Sequence, residues 1–115
     1  MDISTYLSIF RDAAALRGKY LEADEGEKAD QQVDRIFEAK KQLEDQMNDL
    51  NPQLAKLMDD ENAYIRVGAA SHLIDISEFH DEAYKVLQTE RARTDNGFAA
   101  VEALAGIAGW ENKSS

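Results

Sequence analysis

The sequence predicts an all-α protein assembled as a stack of about three antiparallel helix pairs. Three observations lead there. Apolar residues return at intervals of three and four in one stretch after another, the spacing that lines one face of a helix. No stretch alternates apolar and polar residues over the length of a strand. Proline occurs once and glycine six times in 115 residues, so little interrupts long helices.

With 43% hydrophobic and 31% charged residues, a chain of this length makes one globular domain with a modest core. That domain is expected over residues 1–110, with 111–115 (ENKSS) as a frayed tail. There is no apolar run of about 18 residues, and the opening MDISTYLSIF lacks a basic leader, so neither a membrane helix nor a secretory signal is expected. The absence of cysteine excludes disulfides, thiolate metal sites and cysteine nucleophiles, and it fits a cytoplasmic protein. Acidic residues number 23 against 13 basic ones, a net charge of −10. Nucleic acid and anionic membranes are bound through Lys and Arg and are repelled by such a field. A basic partner is attracted and its encounter accelerated. The plainer role of the same charge is solubility.

The first helix is expected over residues 2–23. Ile3, Leu7, Phe10, Ala14 and Leu21 follow its inner face, and Asp2 or Ser4 is its cap. It stops in ADEGEKAD, where Gly26 sits among like charges. A second helix spans 28–50, with Ala29, Val33, Ile36, Phe37, Leu43, Met47 and Leu50 inward and Lys40 the one break in that face. Asn51-Pro52 reads as a firm boundary, a cap followed by proline at the first helical position. A short helix, 52–58, then points Leu54, Leu57 and Met58 inward.

After the acidic turn Asp59–Glu61, a helix over 62–76 is capped by Asp60 or Asn62 and buries Ile65, Ala69, Ala70 and Leu73. Arg66 follows Asp60 by six residues, so the turn folds that carboxylate toward the guanidinium, and the two read as a structural pair. Ser77 and Asp81 are candidate caps of a helix over 79–92 that buries Ala83, Val86 and Leu87. Thr94, Asp95, Asn96 and Gly97 form a turn and cap. Phe98, Val101, Leu104, Ala105 and Ala108 carry the last helix, 96–110, to Trp110.

Shifting the chain by 34 residues lays Asn62 on Asn96, Ala69 on Ala103, Ala70 on Leu104 and Leu73 on Ile107, the mark of an internal helix-pair repeat. Arg66 falls on Ala100 and departs from the pattern. With NAYIRVGAASHL (Asn62–Leu73) and GFAAVEALAGIAGW (Gly97–Trp110), the chain resembles small bacterial proteins of the HEAT-like, alpha-alpha superhelical kind. The resemblance implies a right-handed superhelix of pairs 2–23 with 28–50, 52–58 with 62–76, and 79–92 with 96–110. It also implies that the second helix of each pair lines a concave surface. It fixes no activity: some such proteins are immunity proteins that neutralise a toxin encoded beside them, and others are scaffolds or adaptors. HEAT-like DNA glycosylases have basic concave faces with no counterpart in an acidic chain.

Catalytic chemistry has little to stand on. The histidines, His72 and His80, belong to no HExxH pattern. DEGEKAD lacks the ligand spacing of a calcium loop, no G-x-S-x-G surrounds a serine, and there is no phosphate-binding glycine pattern. No enzyme activity, cofactor or metal is expected. The acids that a stack would gather are Asp34, Glu38, Glu44, Asp45 and Asp49 on the second helix, with Asp75 and Glu102 on the later partner helices. They are the candidate partner-binding residues. Tyr64, Tyr84 and Trp110 belong at the edge of the core. The reading that follows is a non-catalytic protein-binding module, an immunity protein that neutralises a basic toxin such as a nuclease by presenting carboxylates in place of phosphate. Its rival is a scaffold or adaptor that binds protein through apolar patches.

Overall fold

Asp2 starts the first helix by accepting the Thr5 N–H on its Oδ1 at 2.8 Å, and α1 runs Ile3–Glu22. The computed structural model describes residues 1–93, 95 and 97–114, which form six α-helices, two short 3-10 turns and no strand. The helices that follow are α2 (Gly26–Lys41), α3 (Met47–Lys56), α4 (Ala63–Leu73), α5 (His80–Ala92) and α6 (Phe98–Ser114). The capping roles given to Thr94 and Asn96 lie outside the described residues.

α1 stops in a Schellman turn. Asp24 takes the left-handed conformation (φ 61°), its N–H bonds Leu21 O at 3.1 Å, and the Glu25 N–H bonds Tyr20 O at 2.8 Å. An aspartate thus holds the position usually given to glycine, and Gly26 opens α2 instead.

The expected second helix over 28–50 is two helices. α2 ends at Lys41, the chain turns through Gln42 and a 3-10 turn at Glu44–Gln46, and α3 begins at Met47. Leu43, fully buried, plugs the core at the break. Asn51-Pro52 is not a boundary, because both residues lie inside α3. Proline there forfeits the bond to the Asn48 carbonyl. Leu50 and Leu54, one turn apart on either side of it, are fully buried, and that tertiary contact holds the helix together across the defect. Pro52 itself is exposed, so its ring displaces nothing in the core.

Asn62 caps α4 by accepting from Tyr64 N at 2.8 Å and Ile65 N at 3.3 Å, while Asp60 Oδ1 braces the turn by accepting from Asn62 N at 2.9 Å. α4 ends at Leu73 and α5 begins at His80. Ser77 precedes it by three residues and Asp81 lies in its first turn, so neither is a cap, and no side chain caps this helix start. α4 sits in the middle, in contact with α1, α3, α5 and α6, whereas α2 rests chiefly on α1 and α5 pairs with α6. Close approach is allowed by missing side chains. A Cβ on Gly18 would overlap the Tyr64 ring, and one on Gly68 would sit 3.1 Å from Phe10. Gly106 of α6 likewise admits Ser71 of α4, while Gly109 faces open space.

α6 buries the Ala103 and Ile107 that the repeat lays on Ala69 and Leu73, but not the other apolar residues expected to carry the helix. Ala99, Ala103 and Ile107 are inside, whereas Phe98, Val101, Leu104, Ala105 and Ala108 are exposed. The helix is apolar on both sides, so spacing alone does not choose between them. It also continues through Glu111–Ser114, where a frayed tail is expected, and Lys113 ties its end to Asp75 at 3.1 Å.

Candidate functional site

Because α2 leans on α1 and stands off from α4 and α6, a groove of about 510 Å³ opens between them. Phe10 and Ala14 of α1 and Val67 and Gly68 of α4 form its floor. Val33, Ile36, Phe37 and Lys40 form the α2 wall, and Glu102 and Lys113 of α6 stand opposite with Asp75. An apolar cleft of this size with a few placed polar groups is the usual form of a binding site.

Its charges are partly matched within the chain. Arg17 Nη1 meets Glu102 Oε2 at 2.7 Å, and Lys113 Nζ meets Asp75 Oδ2 at 3.1 Å. Burial, and then the charge of Lys113, pulls the Lys40 ammonium below the ordinary lysine range. His72 faces the same space. Burial foremost, then Lys40, lowers it to about 4 against the opposing effect of Asp75, so it is neutral at pH 7. Burial, reinforced by Glu22, raises the Tyr64 phenol to about 12, and its hydroxyl donates to Glu22 Oε1 at 3.3 Å.

A second, open cleft lies across Phe37, lined by Asp34, Glu38, Glu44, Lys41 and Met47 as well as by Phe37 and Lys40 themselves. Phe37, expected in the core, is 56% exposed and forms the ridge between the two clefts. The structure therefore gathers Asp34, Glu38 and Glu44 on one side of an exposed phenylalanine, with Asp75 and Glu102 on the other. Asp45 and Asp49 do not join them. The break after Lys41 turns Asp45 out on the 3-10 turn and carries Asp49 to a separate cleft beside Ile3, Leu7 and Pro52. A continuous helix would have kept all five acids of 34–49 on one element. Sequence reasoning missed Phe37 as a surface residue, although Asp34, Glu38 and Lys41 stand three before, one after and four after it.

The Asp60–Arg66 pair also differs from expectation. Arg66 Nη1 donates to the backbone carbonyls of Asp60 (2.8 Å) and Glu61 (2.9 Å), and its Nε donates to Glu90 Oε1 at 2.7 Å. The Asp60 carboxylate turns instead to Arg11 Nη2 at 2.8 Å. A six-residue turn brings Arg66 to the Asp60 main chain, while the side chain charges find partners on α5 and α1. At the far end of the fold, Trp110 packs on His80 (4.6 Å between centroids) and edge-on to Tyr84 (5.7 Å), and His80 Nδ1 donates to Ile74 O at 2.9 Å. Tyr64, Tyr84 and Trp110 are all half-buried.

Among the described residues no three His, Asp or Glu side chains converge as metal ligands, and no helix is long and apolar enough to cross a membrane. No family model matches the chain, and no curated protein or solved structure shows significant similarity to it.

Proposed function

We propose that this chain is a non-catalytic protein-binding module whose partner is a basic protein, and that the partner is a toxin which it neutralises as an immunity protein. The observation that carries the reading is Phe37, a large apolar side chain 56% exposed, standing beside Asp34, Glu38 and Glu44. An aromatic anchor that a partner can desolvate, rimmed by charge of one sign, is the arrangement from which interfaces draw affinity and specificity. The net charge of −10 steers a basic partner toward it. A cytoplasmic location follows from this role.

The HEAT-like reading belongs to the same proposal. Contacts of α3 with α4, α5 with α6 and α4 with α6 support stacked pairs in the second half. So do the buried equivalents Ala69 with Ala103 and Leu73 with Ile107, whereas Ala70 is buried and Leu104 exposed. The first pair joins that stack chiefly through α1, and this is what opens the groove.

The test is co-expression with the protein encoded beside this one, followed by binding measurements at low and high salt. Rescue from toxicity is expected, with affinity that falls as salt rises and drops at least tenfold for Phe37→Ala. No complex and no rescue would sink the immunity reading. The apolar lining of the groove favours a scaffold or adaptor instead, and binding indifferent to salt but lost in Phe37→Ala would select it.

A further inference from the structure

The outward face of α6 is the second place where apolar side chains meet solvent. Phe98 is 46%, Val101 59% and Leu104 47% exposed, and Ala105, Ala108 and Gly109 are exposed beside them. An exposed apolar stripe of this kind on an otherwise charged molecule marks a contact surface. Glu102, four residues after Phe98 and seven before Gly109, is the one charge at its edge, and that carboxylate is paired with Arg17 at 2.7 Å. Two copies of a chain with net charge −10 repel one another, and the repulsion is least where the surface is neutral.

The stripe is also graded in size. Phe98, Val101 and Leu104 make its first half bulky, while Ala105, Ala108 and Gly109 leave its second half low. A two-fold axis through Ala105 sets each bulky half on the low half of the other copy. Val101 then lies over Ala108 and Gly109, Leu104 lies against Ala105, and the helix dipoles run antiparallel. A parallel arrangement sets bulk on bulk and leaves the low halves apart. A second copy is therefore the occupant for which this face is shaped. We infer that the chain forms a two-fold dimer by antiparallel packing of the outward faces of α6.

Glu102 stands between this stripe and the groove, which lies beyond it with Lys113. The inference rests on the stripe and not on the proposed function. One helix from each copy makes a small interface, so the dissociation constant belongs in the micromolar range, on the order of 1–100 μM.

Sedimentation across a wide concentration range reads the equilibrium directly. The expected result is a reversible monomer–dimer system in which Val101→Glu or Leu104→Glu raises the dissociation constant at least tenfold, with helical circular dichroism unchanged. The wild-type chain has no cysteine, so Ala105→Cys, near the axis, is expected to cross-link the dimer on mild oxidation. Phe98→Cys, which the pairing places opposite Asn112, is expected not to. A chain that stays monomeric at millimolar concentration would overturn the inference. So would a dimer indifferent to Val101→Glu, or cross-linking by Phe98→Cys in preference to Ala105→Cys.

Discussion

Arg66 and Glu90 join α4 to α5 by a contact of 2.7 Å from Nε to Oε1, with the glutamate side chain 3% exposed and the arginine 17%. Through Nη1 the same guanidinium holds the carbonyls of Asp60 and Glu61, so one side chain fixes both the entry to α4 and its neighbour. Removing Glu90 takes the carboxylate from the Arg66 guanidinium, whereas removing Arg66 leaves Glu90 with Arg93 Nη1 at 3.8 Å. Glu90→Ala is expected to lose about 3–5 kcal/mol of stability and Arg66→Ala less. Denaturant midpoints at unchanged slope measure this. The double variant Arg66→Ala/Glu90→Ala should lose less than the sum of the two single changes, a coupling that a double-mutant cycle reads.

His72 makes stability depend on acidity. Its folded value of about 4 lies below the ordinary histidine value of 6.5, so on acidification the unfolded chain takes up the proton first. The stabilisation is complete above pH 6.5 and is lost progressively as pH falls toward 4. At its limit the loss is on the order of 3 kcal/mol. His72→Gln should flatten the stability profile in that window, and histidine ring resonances should show a midpoint well below the ordinary one.

At Asp24 an L-residue occupies the left-handed position of the Schellman turn, with its side chain exposed. Asp24→Gly should stabilise the protein by about 0.5–1 kcal/mol in thermal or chemical melts. Gly18→Ala tests the opposite situation. The added methyl would overlap the Tyr64 ring, and separating α1 from α4 should cost about 1–3 kcal/mol.

Pro52 interrupts the hydrogen bonds of α3 from an exposed position. Pro52→Ala restores the bond to the Asn48 carbonyl, while the more mobile unfolded chain works against it. The net expectation is a gain of about 1–2 kcal/mol, read from the melting midpoint.

What was legible in the sequence was local. Asp2 and Asn62 carry their capping chemistry with them, and the three-and-four spacing of Ile65, Ala69 and Leu73 marks the one face that α4 buries most deeply. What was not legible depended on partners distant in sequence. Gln42–Gln46 contains no glycine or proline, yet the helix breaks there, with Leu43 fully buried at the break and Leu50 fully buried beyond it. At Asn51-Pro52 the reverse holds, and a strong local stop signal yields to the burial of Leu50 and Leu54. α6 is apolar on both faces, so the choice of the Ala99–Ala103–Ile107 side is made by α4 and α5. Of the candidate site, the helical spacing of Asp34 and Glu38 was readable. The exposure of Phe37 was not, because it follows from α2 leaning on α1 and away from α4.

The central position of α4 has a kinetic consequence. Arg11 and Asp60, which help fasten α1 to the start of α4, are 49 positions apart, whereas α5 and α6 are neighbours along the chain. Closing the longer span consumes more chain entropy before any contact rewards it. The α5–α6 hairpin is therefore expected to assemble early and the docking of α1 to limit refolding. Crowding the Gly68–Phe10 contact would slow the folding limb of a chevron, while changes on the outer face of α6 would leave that limb untouched.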